Sequence, residues 1–508
     1  MIEARKFIRS GLLLTIVGLS MRTVAMFFGA FVTRLVGAEG TGLYTLIMTV
    51  YSFAVTLATS GISLTVTRLV ASVIGEKRSA EVGRVLLGAF CYALLFGVLS
   101  SLGLFFGANI LGRVVLSDER TVSSLKVLAF SLVPAAMSAV LSGYFVGVKR
   151  VGFNAAVSVF CQVVRILLTV ILVTKLSRYG IVSAVVGLCV GITLTEILGF
   201  ILILAEFIYD YKKHGVRGGK RSPQLVEVSK NALPLAFSAY VRSLLLNIEH
   251  ILIPKKLRER GESSSEAYSH YGTLHGMALP VVTYPMALLS SFAGLLVPEF
   301  AEDMSAGREG RMSRIASKAV NCTLTYAIIS AVILYTFAEE LGYSMYNSYD
   351  AGYYIQTLSF VVPIMYLDHV TDSMLKGIGE QVFSMWVNIT DSLLSVILVW
   401  ILIPKMGIMG YALVIVIMEA YNFALSFLRL RGKIRFKITP MLSLIVPLFS
   451  SLLAARIAKR LLAFSGGGVP SLWIILKIVF TLAVVFLILA VVDLLMNLGK
   501  RKIIKYSK

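Results

Sequence analysis

Long apolar stretches dominate this chain of 508 residues and limit what it can fold into. Many reach about 20 residues, the length of a helix that crosses the roughly 30 Å hydrocarbon core of a bilayer. The chain is 57% hydrophobic and only 15% charged, with a mean hydropathy of +0.84. That composition leaves too little polar surface for a water-soluble protein of this length. The sequence therefore predicts an all-α polytopic membrane protein.

The apolar stretches predict 14 transmembrane helices. Their boundaries follow from where each run of apolar residues begins and ends. The predicted spans are residues 11–35, 43–71, 84–111, 123–147, 152–175, 181–208, 228–253, 271–297, 315–338, 353–377, 383–403, 408–428, 439–460 and 471–497.

The distribution of Lys and Arg predicts the orientation in the membrane. With the N-terminus inside, the cytoplasmic segments carry about 28 of these residues and the outer segments about 12. This bias predicts that both termini are cytoplasmic and that the protein lies in the cell membrane. It also explains the net charge of +21 without a nucleic-acid partner. The loop near 255–265 runs against the bias.

The sequence predicts neither a cofactor nor a metal site. The four cysteines lie within apolar runs and have no CxxC spacing, which favours small core residues. A membrane enzyme would require catalytic acids or histidines at the membrane surface, usually with a large outer loop. No such loop and no Ser/His/Asp set is visible, so we predict that the protein is not an enzyme.

An internal repeat relates the two halves of the chain at an offset of about 220–231 residues. "SMRTVAMFF" in the first span matches "AYVRSLLLN" in the seventh, and "VRILLTVILV" matches "TDSLLSVILV". Six spans separate the partners, so both halves have the same orientation, a plan typical of transporters with the substrate between the halves. The predicted domains are two six-helix lobes and a pair of added helices, at residues 1–220, 221–435 and 436–508.

The repeat pairs Arg22 with Arg242, one in the leading helix of each lobe. Charged residues inside membrane spans are rare and generally functional. We predict that both arginines face a central cavity and bind an anionic group, since guanidinium binds phosphate oxygens in bidentate fashion. The alternative is that each arginine pairs with a carboxylate or a carbonyl and only fixes helix packing.

Other charges within the spans are candidates of lower rank. Arg165 is predicted to line the cavity or to lock its lobe, as is its repeat partner Asp391. Arg68 is a secondary candidate, because snorkelling to the headgroups explains it equally well. Asp368 and Asp372 share one helical face and could hold a proton or Na⁺, or could answer an arginine.

Three segments resemble a known family when taken in order. "SGISLTVTRLVAS", "LPLAFSAYVRSLLLNIEHILIP" and "LLVPEFAE" are similar to the stage V sporulation protein B group. That group belongs to the polysaccharide-transporter branch of the multidrug/oligosaccharidyl-lipid/polysaccharide (MOP) exporter superfamily. "RTVAMFFGAFVTRLVGA" also resembles lipid II flippases, including Arg22 and Arg34. Some of those flippases carry a further arginine and an aspartate where this chain has Phe28 and Gly29.

The resemblance implies a flippase for lipid-linked saccharides, with lipid II or a related peptidoglycan or polysaccharide precursor as substrate. It implies alternating access between two lobes, with membrane lipids and either Na⁺ or H⁺ as further partners. A cavity between two fused lobes needs no second subunit, so we expect a monomer. The alternative function is a cation-coupled multidrug exporter of the same superfamily, which would favour a cavity rich in carboxylates.

Overall fold

A computed structural model describes residues 2–59, 61–75, 82–148, 150–213, 225–461 and 471–506. Helices make up most of these residues, and none of them lies in a β-strand. The predicted all-α fold class is therefore confirmed.

The chain forms 19 α-helices within these ranges, many of them long and apolar throughout. They are α1 (Ile2–Thr59), α2 (Ile62–Gly75), α3 (Val82–Ile110), α4 (Val122–Ala129), α5 (Leu132–Gly147), α6 (Val151–Leu176), α7 (Ile181–Lys213), α8 (Leu225–Glu259), α9 (Ser264–Tyr271), α10 (Leu279–Thr283), α11 (Met286–Ser305), α12 (Glu309–Thr336), α13 (Ala338–Tyr346), α14 (Tyr349–Leu358), α15 (Val362–Gly377), α16 (Gln381–Met406), α17 (Ile408–Lys433), α18 (Val446–Leu461) and α19 (Ser471–Tyr506).

Among the described residues, 9 helical segments are long and apolar enough to cross a membrane, or 11 if two bent helix pairs each count as one span. One segment, Ser20–Ile74, covers two of the predicted spans. The predicted spans within α8 and within α14 and α15 do not belong to this set. The protein is thus a multi-pass membrane protein, and the count of 14 spans stays a prediction.

Breaks in the long helices occur where the local chemistry requires them. Gly37 interrupts α1 with φ 74° and ψ −178°, a left-handed conformation that glycine adopts without a steric penalty. Pro285 stands at the bend of 57° between the segments Ser264–Thr283 and Met286–Ser305. A π-helix over Gly272–Ala278 leads into this bend. The bends place short helices at the ends of the long ones.

The helices form two compact units. Unit I contains Leu35–Gly272 with Val399–Lys405, and unit II contains Met1–Arg34, Thr273–Leu398 and Met406–Lys508. α1 therefore contributes to both units, and its change of unit lies just before Gly37. These units follow spatial contacts and not the sequence repeat, so the predicted domain boundaries at 220 and 435 stay a prediction.

Each unit has its own apolar core. In unit I, buried residues of α2, α3 and α5 pack around Val66, Leu86 and Tyr144. In unit II, α12 packs on α18 and α19 through Ile333, Phe337 and Val485. Burying aliphatic side chains within the bundle adds van der Waals packing, which is the main attraction between helices in lipid. The final two helices are thus part of the core of unit II.

Candidate functional site

An apolar cavity of about 650 Å³ lies within unit II. Its walls come mainly from α1, α11, α12, α13 and α19, and most lining side chains are aliphatic or aromatic. The N-terminal part of α1 forms one wall, because Met26, Ala30 and Arg34 repeat every four residues and share a face. Other wall residues include Phe27, Phe31, Leu288, Ile333, Leu341, Ile475, Ile478 and Leu482.

Arg34 is the single charged residue in the described lining of this cavity. Its Nε donates a hydrogen bond of 2.7 Å to the carbonyl oxygen of Met345 at the end of α13. The Nη1 and Nη2 groups make no hydrogen bond or ion pair within the described part of the chain, so this end of the guanidinium can bind an anion. The pattern of charges in the sequence did not single out Arg34 as a site residue, although the segment that resembles lipid II flippases includes it. The signal that could have identified it is its spacing: Arg34 follows Ala30 by four residues and Met26 by eight, so all three lie on one face of the helix.

Arg22 lies on the same helix, twelve residues before Arg34, and is exposed. It makes no hydrogen bond or ion pair with the described residues, but lies within electrostatic range of His369 on α15. Next to it, the hydroxyl groups of Thr23 and Tyr284 share a hydrogen bond of 2.7 Å. Arg22 is therefore within electrostatic range of α15, the helix that carries the predicted acidic pair.

Arg242 is also exposed and forms no hydrogen bond or ion pair with the described residues. It lies on α8 within unit I, whereas Arg22 belongs to unit II. Five residues further along α8, Asn247 is buried and its side-chain amide donates a hydrogen bond of 2.7 Å to the carbonyl oxygen of Ser243. Both arginines of the repeat thus keep their guanidinium groups available, each within its own unit.

Arg165 differs, because it is already paired. Its Nη2 donates to Glu196 on α7 at 2.8 Å and its Nε donates to the Thr195 hydroxyl at 3.1 Å. These contacts join α6 to α7 and match the locking role that the sequence left open for this residue. Arg68, the secondary candidate, is exposed on α2.

The acidic candidates lie on α15 and α16. Asp372 forms an ion pair of 2.5 Å with Lys376, one turn further along α15. Asp368 lies within electrostatic range of Asp372 on the same helix and of Asp391 on α16, and both Asp368 and Asp391 lie within range of Glu419 on α17. Within the described residues, no three His, Cys, Asp or Glu side chains are arranged to hold a metal ion. The structure thus places Asp391 within electrostatic range of Asp368 in addition to Asp372, a proximity that sequence spacing did not predict.

A charged network in unit I uses the loop that contradicted the orientation rule. Arg120 makes bidentate contacts with Asp118 and donates to Glu39 at 2.7 Å. The guanidinium of Arg258 donates to the carbonyl oxygens of Leu116 and Ser117, and the fully buried Tyr268 ring lies about 6 Å from both arginine Cζ atoms. Stacking on an aromatic face is favourable for guanidinium. Arg258 therefore has a packing role that the charge count could not reveal.

Comparisons with known proteins agree with this architecture. Residues 7–304 match the family described as "Polysaccharide biosynthesis protein", and residues 275–401 match the family "MatE". Stage V sporulation protein B of Bacillus subtilis is 28% identical over 81% of this chain and 80% of its own length. Among solved structures, "Lipid II flippase MurJ, inward closed conformation" has a TM-score of 0.68 at 16% identity, covering 95% of this chain and 100% of that chain. A multidrug resistance MATE family transporter of the MOP superfamily, in an inward-facing conformation, has a TM-score of 0.62 at 18% identity, covering 82% and 98%.

Fold and matches define a membrane transporter of the MOP superfamily, and its family and fold are those of transporters and flippases. Within that class, the chain belongs to the polysaccharide biosynthesis protein family, whose match covers more than half of its length. The expected family resemblance is therefore confirmed.

Proposed function

We propose that the protein translocates a lipid-linked saccharide, with lipid II or a related peptidoglycan or polysaccharide precursor as substrate, by alternating access. The observation that carries the proposal is the cavity of unit II, which is apolar along its walls and has the guanidinium of Arg34 in its lining. Such a site is complementary to an amphiphile with an apolar chain and an anionic group. The similarity to stage V sporulation protein B and the MurJ fold support this choice of substrate class.

The physical requirement for such a protein is clear. Burying an unpaired charge in hydrocarbon is very costly, so a diphosphate headgroup cannot cross the membrane unaided. A guanidinium provides a permanent charge and two parallel hydrogen bonds to phosphate oxygens. Translocation therefore requires no chemistry on the substrate, only a polar path for the headgroup, while the apolar chain occupies the apolar cavity and the bilayer.

The arginines have distinct roles in this proposal. Arg34 and Arg22 of unit II and, separately, Arg242 of unit I are candidates to bind the anionic headgroup, since each keeps guanidinium N–H groups available. Arg165 is a further candidate within unit I if substrate displaces Glu196, and Arg68 and Asp391 are secondary candidates. The pair Asp368 and Asp372 is the candidate site for a coupling H⁺ or Na⁺. Asp368 is the member of the pair that lies within electrostatic range of Asp391 and Glu419.

The alternative is a cation-coupled multidrug exporter. Two observations favour it: residues 275–401 match the MatE family, and that region contains Asp368, Asp372 and Asp391. The guanidinium of Arg34 in the lining of the apolar cavity opposes it, because an arginine in the binding site repels cationic compounds. We propose further that the protein lies in the cytoplasmic membrane with both termini inside, as the Lys and Arg distribution predicts, and that it acts as a monomer because two fused lobes need no second subunit.

A depletion-and-rescue assay tests this function. Cells depleted of their own lipid II flippase express the intact protein, Arg34→Ala, Arg22→Ala or Arg242→Ala, and lipid II on the outer leaflet is measured. Arg431→Ala is the matched control, since Arg431 is an exposed arginine at the end of α17. We expect rescue by the intact protein and the control, and at least a tenfold loss for Arg34→Ala, about the cost of one charged hydrogen-bond partner.

The other outcomes separate the alternatives. Rescue by every variant at equal membrane levels would support lipid II as the substrate and would show that the arginines are not needed to bind it, so that their role is in packing. If the intact protein fails to expose lipid II but exports organic cations from the same cells, the multidrug exporter is correct.

A further inference from the structure

A lysine is buried near the start of the apolar helix α19, next to residues that line the cavity. Lys477 interrupts the hydrophobic start of α19 and is only 3% exposed. Its ammonium group forms an ion pair of 2.9 Å with Glu340 on α13. Both residues belong to unit II, and none of the roles proposed above uses them.

This pair is a poor way to gain stability. Two charges lose their solvation when they are buried, and well-packed apolar residues of similar size often serve the fold equally well. The second carboxylate oxygen of Glu340, Oε2, is buried without a hydrogen-bond partner in the described part of the chain. The ammonium group of Lys477 therefore offsets the cost of burying the negative charge of Glu340. The ion pair also fixes which turn of α19 faces α13.

The position of the pair links it to the cavity. α13 is held at two points five residues apart, where Glu340 binds Lys477 and where the Met345 carbonyl accepts from Arg34. Between them, Leu341 lines the cavity. On α19, the wall residues Ile474, Ile475, Ile478 and Leu482 lie within about a turn and a half of Lys477. The pair thus connects the anion-binding arginine to the wall that closes the apolar space.

We propose that Glu340 and Lys477 are positioning residues that set how α19 closes the cavity, and so determine the length of apolar chain that the site selects. This inference rests on the proposed function. The cavity of about 650 Å³ holds roughly 20 groups the size of a water molecule or a methylene. That corresponds to about four isoprene units of five carbons each. We therefore expect the translocation rate to rise with chain length up to about four units and then to level off.

The experiment measures translocation of synthetic lipid diphosphate sugars by the purified full-length protein in vesicles. The substrates share one headgroup and carry about two, four or eight isoprene units, a range chosen around the cavity volume. The variants are Lys477→Met, Glu340→Gln, the conservative Lys477→Arg, and the charge swap Glu340→Lys with Lys477→Glu. Lys459→Met is the matched control, because Lys459 is an exposed lysine on the neighbouring α18.

For the intact protein and Lys459→Met, we expect the four-unit substrate to move faster than the two-unit one, and the eight-unit substrate to match the four-unit one. The single variants Lys477→Met and Glu340→Gln lower the four-to-two ratio by about tenfold, the scale of one misfitted methylene in an apolar pocket. Lys477→Arg keeps the ratio. The charge swap restores it, which a general loss of stability would not do.

Each contrary result has its own meaning. If the intact protein moves none of the substrates, the proposed function is wrong. If it moves them and the single variants slow all lengths equally or leave the ratio unchanged, the positioning role is wrong. If the single variants do not yield folded protein for the vesicles, the charge swap decides: a folded swap with an altered ratio also overturns the inference.

Discussion

Gly42 on α1 lies so close to α9 that even a methyl group does not fit. A Cβ atom at this position would lie 1.9 Å from the carbonyl oxygen of Tyr268, and one at Gly272 would lie 2.4 Å from the carbonyl oxygen of Ala38. The obstacle in both cases is backbone, which cannot rotate away as a side chain can. Gly42→Ala therefore tests whether the crossing of α1 and α9 in unit I is as tight as described.

The expected cost follows from the geometry. An ordinary contact begins at 3.4 Å, so Gly42→Ala forces the two backbones apart by about 1.5 Å. Overpacking of this kind typically costs about 1–3 kcal/mol, and here the shift also strains the stacking of Arg120 on Tyr268 and the hydrogen bond from Ser265 to Glu39. The higher helix propensity of alanine offsets up to about 1 kcal/mol of this cost. We expect a net destabilisation of about 2 kcal/mol.

Gly103→Ala is the matched control. Gly103 is also helical, on α3, and no atom lies within 4 Å of its added Cβ. The control should be neutral or stabilising by up to about 1 kcal/mol. Unfolding in detergent is measured for both variants at one scan rate, because membrane proteins of this size commonly unfold irreversibly. Equal midpoints for the two variants would refute the tight crossing.

Two further predictions concern ion pairs. Glu380, between α15 and α16, accepts from Lys433 and Arg429, which hold the pKa of its carboxyl below the ordinary value. Its contribution to stability is therefore fully present above the unfolded pKa near 4.3 and is lost as the pH falls through the lower folded value. Glu380→Gln should lower the melting temperature at pH 7 and have no effect near pH 2, and an equal effect at both pH values would contradict this. In unit I, a double-mutant cycle of Arg165→Met and Glu196→Gln should give a coupling of about 1–2 kcal/mol in unfolding free energy, and a coupling near zero would show that the pair does not join α6 to α7.

The sequence predicted the class of fold because bilayer thickness fixes helix length, and apolar composition is easy to read. It also selected Arg22, Arg242 and Arg165 as unusual charges within spans. It could not tell which of them are paired, because the partner of Arg165 lies on the next helix, 31 residues away. Spacing along one helix grouped Asp368 with Asp372, and only the packing of α15 with α16 could add Asp391 to their surroundings.

The cavity itself was beyond sequence reasoning. Its walls come from helices that are far apart in the chain, and aliphatic residues on a cavity wall look the same as those that face lipid. Arg34 could be recognised as a wall residue only once Met345 was placed beside it. Lys477 gave a better signal, since a lone lysine inside an apolar helix requires a buried partner, but nothing in the spacing identifies Glu340 as that partner.

The division of α1 between the units has a consequence for biosynthesis. Unit I is complete once residue 272 has been made, apart from the short segment Val399–Lys405, whereas unit II needs the first 34 residues together with segments that follow residue 273. The segment with Arg22 and Arg34 therefore enters the bilayer long before its partners Tyr284 and Met345 exist. Unit II has a high contact order and is expected to assemble last, so nascent chains stopped before α13 should show protease-sensitive N-terminal segments while unit I is already protected.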